Sequence, residues 1–278
     1  MDGIGRSRNP PRGPERQALG HPPGLAPATA ARVIVMGDSI GTGTGASDRA
    51  RRAYDSLLRL NDDATWPGFA AVDLESRLGA TPELVNVAAG GATTSSMRRF
   101  QLAALQARLP APVRGHSIVL ITIGGNDLQA VIGSRDPTGR PLADAIANLR
   151  AAIEWLQRPA MFPDCVSIYL MDVYDPTDGT GYARGCFSGA TLPGLAAALD
   201  AWRDAYVQLG TELGVAVIDA LGHFHGHGKS FDRAANPHFH AADPSPWLGD
   251  CIHPNDRGHH ELRRLFFEAI DGTYRVAD

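Results

Sequence analysis

Four short stretches of the 278-residue chain carry groups that can move a proton or hold a developing charge. They are Gly37-Asp38-Ser39, NVAAGGATT at 86–94, Gly124-Gly125-Asn126-Asp127 and Asp250-Cys251-Ile252-His253-Pro254-Asn255. Between them they hold what acyl transfer needs: a nucleophile, a base, an orienting carboxylate and an oxyanion hole. Ser39 is a weak nucleophile until a base takes its proton. His253 can be that base, because an imidazole titrates near neutrality. Asp250 stands three residues before it. In a turn leading into a helix, that spacing can bring the carboxylate to Nδ1–H, fixing the tautomer and stabilising the imidazolium. Gly91 lets the backbone approach a substrate and offer its N–H. The Asn126 amide and the Ser39 backbone N–H complete three oxyanion donors, each typically worth about 100- to 1000-fold in rate. Taken singly, each of these residues also reads as a helix cap or a turn. The case for chemistry is their joint placement.

That placement depends on the elements around them. Apolar runs at 32–36, 84–88, 117–123, 166–173 and 215–219 are short and bounded by Gly, Pro or polar turns. They read as strands buried on both faces. Helical spacing separates them: Leu142, Ile146, Leu149, Ile153 and Leu156; then Leu195, Leu199, Trp202, Tyr206, Leu209 and Leu213, with Gly214 as a C-cap. Pro67 and Gly79 bracket another expected helix, and Leu262, Leu265, Phe266, Ala269 and Ile270 mark the last one. Alternating strands and helices predict a parallel sheet covered on both faces, in one α/β domain over residues 31–275. In such sheets ligands bind beyond the carboxyl ends of the strands. Three of the four stretches directly follow a predicted strand, and the fourth lies in the long loop after the fifth.

GDSI at 37–40, NVAAGGATT at 86–94, IGGND at 123–127 and DCIHPN at 250–255 resemble, in order, the four motif blocks of the SGNH hydrolases, or GDSL esterases and lipases. The resemblance implies a flavodoxin-like three-layer α/β/α sandwich with a five-stranded parallel sheet. It implies a serine esterase, with Ser39, His253 and Asp250 as triad and Ser39, Gly91 and Asn126 as oxyanion donors; the short polar connection at 128–140 favours small to medium acyl esters over an insoluble triglyceride. No cofactor or metal is implied. Acyl transfer to an acceptor other than water uses the same triad. Two details depart from the commonest pattern: Ile40 replaces Leu, and Gly90 precedes the matched glycine. Either Gly90 or Gly91 can be the donor, and alignment through Ala92-Thr93-Thr94 favours Gly91.

Two other patterns compete. Gly41-Thr42-Gly43-Thr44-Gly45-Ala46 fits G-x-G-x-x-A, a dinucleotide-binding fingerprint, but the strand should end near Met36, four residues too early. His223, His225, His227, His238 and His240 crowd one segment, yet it is Gly- and Pro-rich and has no H-E-x-x-H. A polar loop near the site is the better account.

The remaining composition is ordinary. With 26 basic and 30 acidic residues the formal charge is −4, so no nucleic-acid partner is indicated. No apolar run is long enough to span a membrane, so stable membrane insertion is not expected. The expected partner is a small-molecule ester, and nothing sets an oligomeric state. Residues 1–30 are rich in Pro, Gly and Arg and read as a disordered tail. They lack the apolar core of a signal peptide. The chain as written therefore reads as cytoplasmic, with secretion open if its start is misassigned. Of the three cysteines, Cys186 and Cys251 both fall in loops of the expected active face. A Cys186–Cys251 disulfide with Cys165 as a thiol is one reading, and three reduced thiols is the other. Loops at 41–66, 126–140, 174–190 and 236–252 should shape the pocket, with Tyr174, Phe187 and Trp247 as apolar walls or as loop anchors. Residues 128–140 read as a short polar connection, not a hydrophobic lid.

Overall fold

A computed structural model describes residues 30–272, apart from 133, 135 and 184. The expected tail lies outside the described residues, except that Ala30 already opens the first strand. Five strands form one sheet: β1 (Ala30–Gly37), β2 (Glu83–Asn86), β3 (His116–Thr122), β4 (Cys165–Met171) and β5 (Ala216–Ile218). Their order is β2-β1-β3-β4-β5 and every pairing is parallel. This is the doubly wound flavodoxin order, whose switch point lies between β1 and β3.

Among the described residues, ten α-helical segments accompany the sheet. In chain order they are α1 (Arg49–Arg52), α2 (Tyr54–Arg59), α3 (Leu74–Leu78), α4 (Thr94–Ser96), α5 (Leu102–Arg108), α6 (Gly125–Val131), α7 (Arg140–Leu156), α8 (Leu195–Leu213), α9 (Ala220–Phe224) and α10 (Asp256–Asp271). Side chains alternate along the strands, as the two-residue period requires. Ile34, Met36, Val119 and Ile121 pack into a core with α5, α7 and α8. Val33, Val35, Ile118 and Leu120 pack into a second core with α2, α3 and α10. The sheet is thus buried on both faces, which explains why its strands read as unbroken apolar runs.

One expected element is broken. The segment from Pro67 to Leu78 is not a single helix but a 3-10 turn at Pro67–Phe69 followed by α3. Ala71 takes a left-handed φ of 65°, and Asp73 caps α3 by accepting from Ser76 N–H. The Pro-start and Gly-stop signals were both genuine, but they belong to different elements. Gly79 ends α3 at φ 78° as expected. Among the described residues, no helix is long and apolar enough to cross a membrane.

Candidate active site

The first question at the site is why β1 stops at Gly37, two residues before Ser39. Gly37 has φ 137°, and a β-carbon there would lie 2.0 Å from the Thr122 carbonyl oxygen. Only glycine can turn the chain this close to the end of β3. Asp38 N–H then donates to Thr122 O at 3.0 Å. From beneath, the Gln101 amide grips Gly37 on both sides, accepting from its N–H at 2.8 Å and donating to its carbonyl at 2.7 Å. Gln101 belongs to a π-helical turn, Met97–Gln101, that joins α4 to α5. Such turns recur at functional sites. No sequence signal marks one, and Gln101 escapes sequence reasoning for that reason.

The Asp38 side chain faces inward and accepts from Ile40 N–H at 2.9 Å. Burial pushes its carboxyl up to about 7, against the pull of that bond and of His253. Ser39 itself stays partly accessible.

The other half of the site is the turn before α10. Leu248 bridges to Pro254, and Gly249 N–H donates to the His253 carbonyl at 2.9 Å. Asp250 organises this turn. Its Oδ1 accepts from Ile252 N–H at 2.8 Å and His253 N–H at 2.7 Å. Its Oδ2 lies 2.7 Å from His253 Nδ1, while His253 Nε2 lies 2.9 Å from Ser39 Oγ. Burial disfavours the Asp250 charge, but the bonds from His253 and the backbone outweigh it and hold the carboxyl below its usual range. An ionised Asp250 needs Nδ1 to carry the proton. That leaves Nε2 as an acceptor aimed at Ser39.

The third and fourth stretches meet at Asn126. Its amide donates to Ala92 O at 2.9 Å, tying α6 to the loop after β2 and leaving a second N–H. Next to it, Asp127 accepts from Thr94 N–H at 2.9 Å and Thr94 Oγ1 at 2.7 Å. Gly124 turns at φ 110° over the Tyr206 hydroxyl, which donates to Ile123 O at 2.9 Å. Ser39 and Asn126 line one cavity. Gly91 takes φ 74° in the exposed loop beside Ala92 and is not among the residues lining that cavity. Ser39, His253 and Asp250 are therefore bonded in series, and Ser39 shares a cavity with Asn126 but not with Gly91.

The competing patterns have other roles. Residues 41–45 form hydrogen-bonded turns: Thr42 N–H donates to Asp38 O, Gly43 N–H to Ile40 O and Thr44 N–H to Ser39 O. α1 begins only at Arg49, so the helix that follows β1 in the chain does not start at these glycines. Gly45 instead packs on the histidine turn. Among the histidines, His225 stacks on His238 at 3.9 Å and His227 on Trp247 at 3.7 Å. No group of three or more metal-ligating side chains is assembled among the described residues.

Of the expected wall residues, Tyr174 and Phe187 line the cavity and Trp247 does not. Trp247 is an anchor, buried against His223, Phe224 and His227. The reading of 128–140 as a short polar connection also needs correction. Its first turn is helical and sends Leu128 and Ile132 into the cavity wall. The cysteines settle as Cys186 bonded to Cys251, with Cys165 free and exposed.

The model of the GDSL-like lipase/acylhydrolase family matches residues 35–261. Among solved structures, an acetylxylan esterase from Geobacillus stearothermophilus aligns with a TM-score of 0.57 at 17% identity, covering 90% of this chain and 98% of that one. A psychrotrophic esterase from a Pseudoalteromonas species aligns at 0.52 and 17% identity, covering 87% and 97%. At such identities the likeness shows the fold alone. No curated protein sequence matches the chain.

Proposed function

Since this chain belongs to the GDSL-like lipase/acylhydrolase family and is an ester-hydrolysing enzyme, we propose that it cleaves small to medium acyl esters through Ser39, His253 and Asp250. The observation that carries the reading is the unbroken relay from Asp250 Oδ2 to His253 Nδ1 and from His253 Nε2 to Ser39 Oγ, at 2.7 and 2.9 Å.

The steps follow from that geometry. His253 Nε2 takes the Ser39 proton as Oγ attacks the ester carbonyl. Negative charge collects on the carbonyl oxygen, where the Ser39 and Gly91 N–H groups and the free N–H of Asn126 donate to it. The imidazolium, held by Asp250, gives its proton to the departing alcohol and leaves an acyl-Ser39. Water then enters, loses a proton to His253 and attacks the acyl group. The acid departs and Ser39 recovers its proton.

Asp250 does two jobs in this scheme. It shapes the turn through Oδ1 and orients the ring through Oδ2. The exposed position of its carboxyl limits the electrostatic part and leaves tautomer control as its main contribution. The test is a panel of p-nitrophenyl esters from acetyl to palmitoyl, run with acetylated sugars. Wild type should cleave esters without added metal and Ser39→Ala should not. Equal rates for the two proteins would reject the reading.

A further inference from the structure

Ser39 and His253 stand 214 residues apart in the chain, yet His253 Nε2 and Ser39 Oγ meet at 2.9 Å. The segment that leaves Ser39 turns back across the start of α10 and is held there at two points. Thr44 N–H donates to the Ser39 carbonyl at 3.0 Å, and the Thr44 carbonyl accepts from His259 Nε2 at 3.0 Å. His259 is fully buried, and burial lowers its pKa to about 4, so the ring is neutral with its proton on Nε2. Asp256 makes the second hold. Its Oδ1 accepts from Ser47 N–H at 2.7 Å and its Oδ2 from Ser47 Oγ at 2.6 Å. Arg52 Nη1 closes the triangle, 2.8 Å from both Asp256 Oδ2 and Ser47 Oγ. Between the two holds, Gly45 lies so close to the Pro254 carbonyl that a β-carbon would not fit.

From this arrangement we infer that Asp256 is a positioning residue: it clamps the Ser39 loop to the first turn of α10 and so sets the distance from Ser39 Oγ to His253 Nε2. The inference rests on the reading of Ser39 and His253 as nucleophile and base. It adds a residue that touches neither substrate nor reacting atom. Asp256 stands three residues after His253 on the same chain segment, so whatever pulls on Asp256 pulls on the base. Ser47 stands eight residues after Ser39, with the Thr44 bonds tying the stretch between them into one turn.

Magnitudes separate a clamp from a mere structural tie. The Asp256–Arg52 pair is half-exposed, at 27% and 35% for the two side chains, and such pairs add little to stability. A misplacement of about 1 Å between reacting groups, in contrast, can cost about 100-fold in rate. Loss of the clamp should therefore show in the chemical step far more than in melting. Neither Ser47 nor Asp256 lines the cavity, so ligand binding should not change. One rival cause is the negative charge of Asp256 at the start of α10, which complements the helix dipole. Asparagine separates the two. It removes the charge but keeps an oxygen for Ser47 N–H and an amide for Ser47 Oγ, whereas alanine removes everything.

The experiment is saturation kinetics of labelling by an alkyl fluorophosphonate at 25 °C, in wild type, Asp256→Ala, Asp256→Asn and Ser47→Ala. In that single step Ser39 Oγ bonds to phosphorus, fluoride leaves and His253 takes the serine proton, so kinact reports the Ser39–His253 geometry and KI reports binding. Asp256→Ala should lower kinact by about tenfold or more with KI unchanged. It should melt within about 6 °C of wild type. Asp256→Asn should keep kinact within about threefold of wild type. If circular dichroism shows that Asp256→Ala does not fold, Ser47→Ala decides, and should lower kinact by about threefold or more at unchanged KI. A wild-type kinact in the deciding variant, a loss carried by KI, or equal losses in Asp256→Ala and Asp256→Asn overturns this inference and leaves the nucleophile and base standing. Wild type that does not label on Ser39 overturns both.

Discussion

Cys186 is bonded to Cys251 across 65 residues of sequence, with Cα atoms 5.5 Å apart. One partner precedes the cavity-lining Phe187, and the other directly follows Asp250. Opening the bond should therefore act on both stability and activity. In the chain-entropy account a loop of this length is worth about 4 kcal/mol. At about 2–4 °C per kcal/mol for a chain of this size, Cys251→Ser should melt about 10 °C lower. Thermal scans with and without dithiothreitol check this, and an unchanged melting temperature would contradict it.

Asp250 and Asn126 should fail in different ways. Asp250→Asn loses the ionised partner of Nδ1, so activity should fall by up to about four orders of magnitude. Asn126→Ala removes an oxyanion donor, so kcat should fall about 100-fold or more. In wild type kcat/KM should drop on acidification, as the imidazole loses its ability to accept the Ser39 proton. Asn126→Ala should keep the midpoint of that profile, since the base is intact. pH–rate profiles of both variants separate the roles, and a harmless Asn126→Ala would remove it from the oxyanion hole.

Asp38 makes stability depend on pH in an unusual direction for a carboxylate. Burial raises its folded pKa to about 7, so the folded state holds a proton that the unfolded state gives up near the ordinary value. Its stability contribution is complete below about pH 4 and is lost as pH rises through about 7. Asp38→Asn cannot ionise. It should gain on wild type as pH rises from 5 to 8, by at most about 3 kcal/mol. Urea melts at the two pH values measure the difference. A gap that does not widen would mean that Asp38 is ionised throughout.

Gly45 should be the least replaceable glycine of its loop. It sits at φ 96°, and a β-carbon there would lie 2.1 Å from the Pro254 carbonyl oxygen and 3.3 Å from His253 Cβ. Gly45→Ala should destabilise by about 2–4 kcal/mol and cut activity by displacing the histidine turn. Gly79 is the control, with φ 78° and nothing within 4 Å. Gly79→Ala should cost only about 1 kcal/mol and leave the rate alone. Equal effects on rate would break the link drawn between the Gly45 loop and His253.

Much of this arrangement was legible in the sequence, and the parts that were not share a cause. The five strands were readable because burial on both faces leaves no polar residue to interrupt Val33–Met36 or Ile118–Ile121. Asp250 and His253 were readable because three-residue spacing before a capped helix constrains the turn between them. Gln101, Tyr206 and Asp127 were not. Each acts on one distant residue, Gly37, Ile123 and Thr94 respectively, and local pattern carries no trace of such partners. Trp247 stayed open between wall and anchor for a similar reason: an aromatic in a loop looks the same whether it faces a cavity or a histidine ring. The dinucleotide fingerprint was rightly set aside on the strand's early end, and Gly45 in it packs against Pro254 instead.

The most direct measurement is covalent labelling of the nucleophile. An alkyl fluorophosphonate traps a serine whose proton can be taken by a neighbouring base, and intact-mass and peptide analysis locate the adduct. One adduct per chain should form, on Ser39, with esterase activity lost in proportion to labelling. Asp250→Asn should label far more slowly, and Ser39→Ala should neither label nor hydrolyse. Full activity after stoichiometric labelling, or an adduct on any other residue with Ser39→Ala still active, would contradict the account.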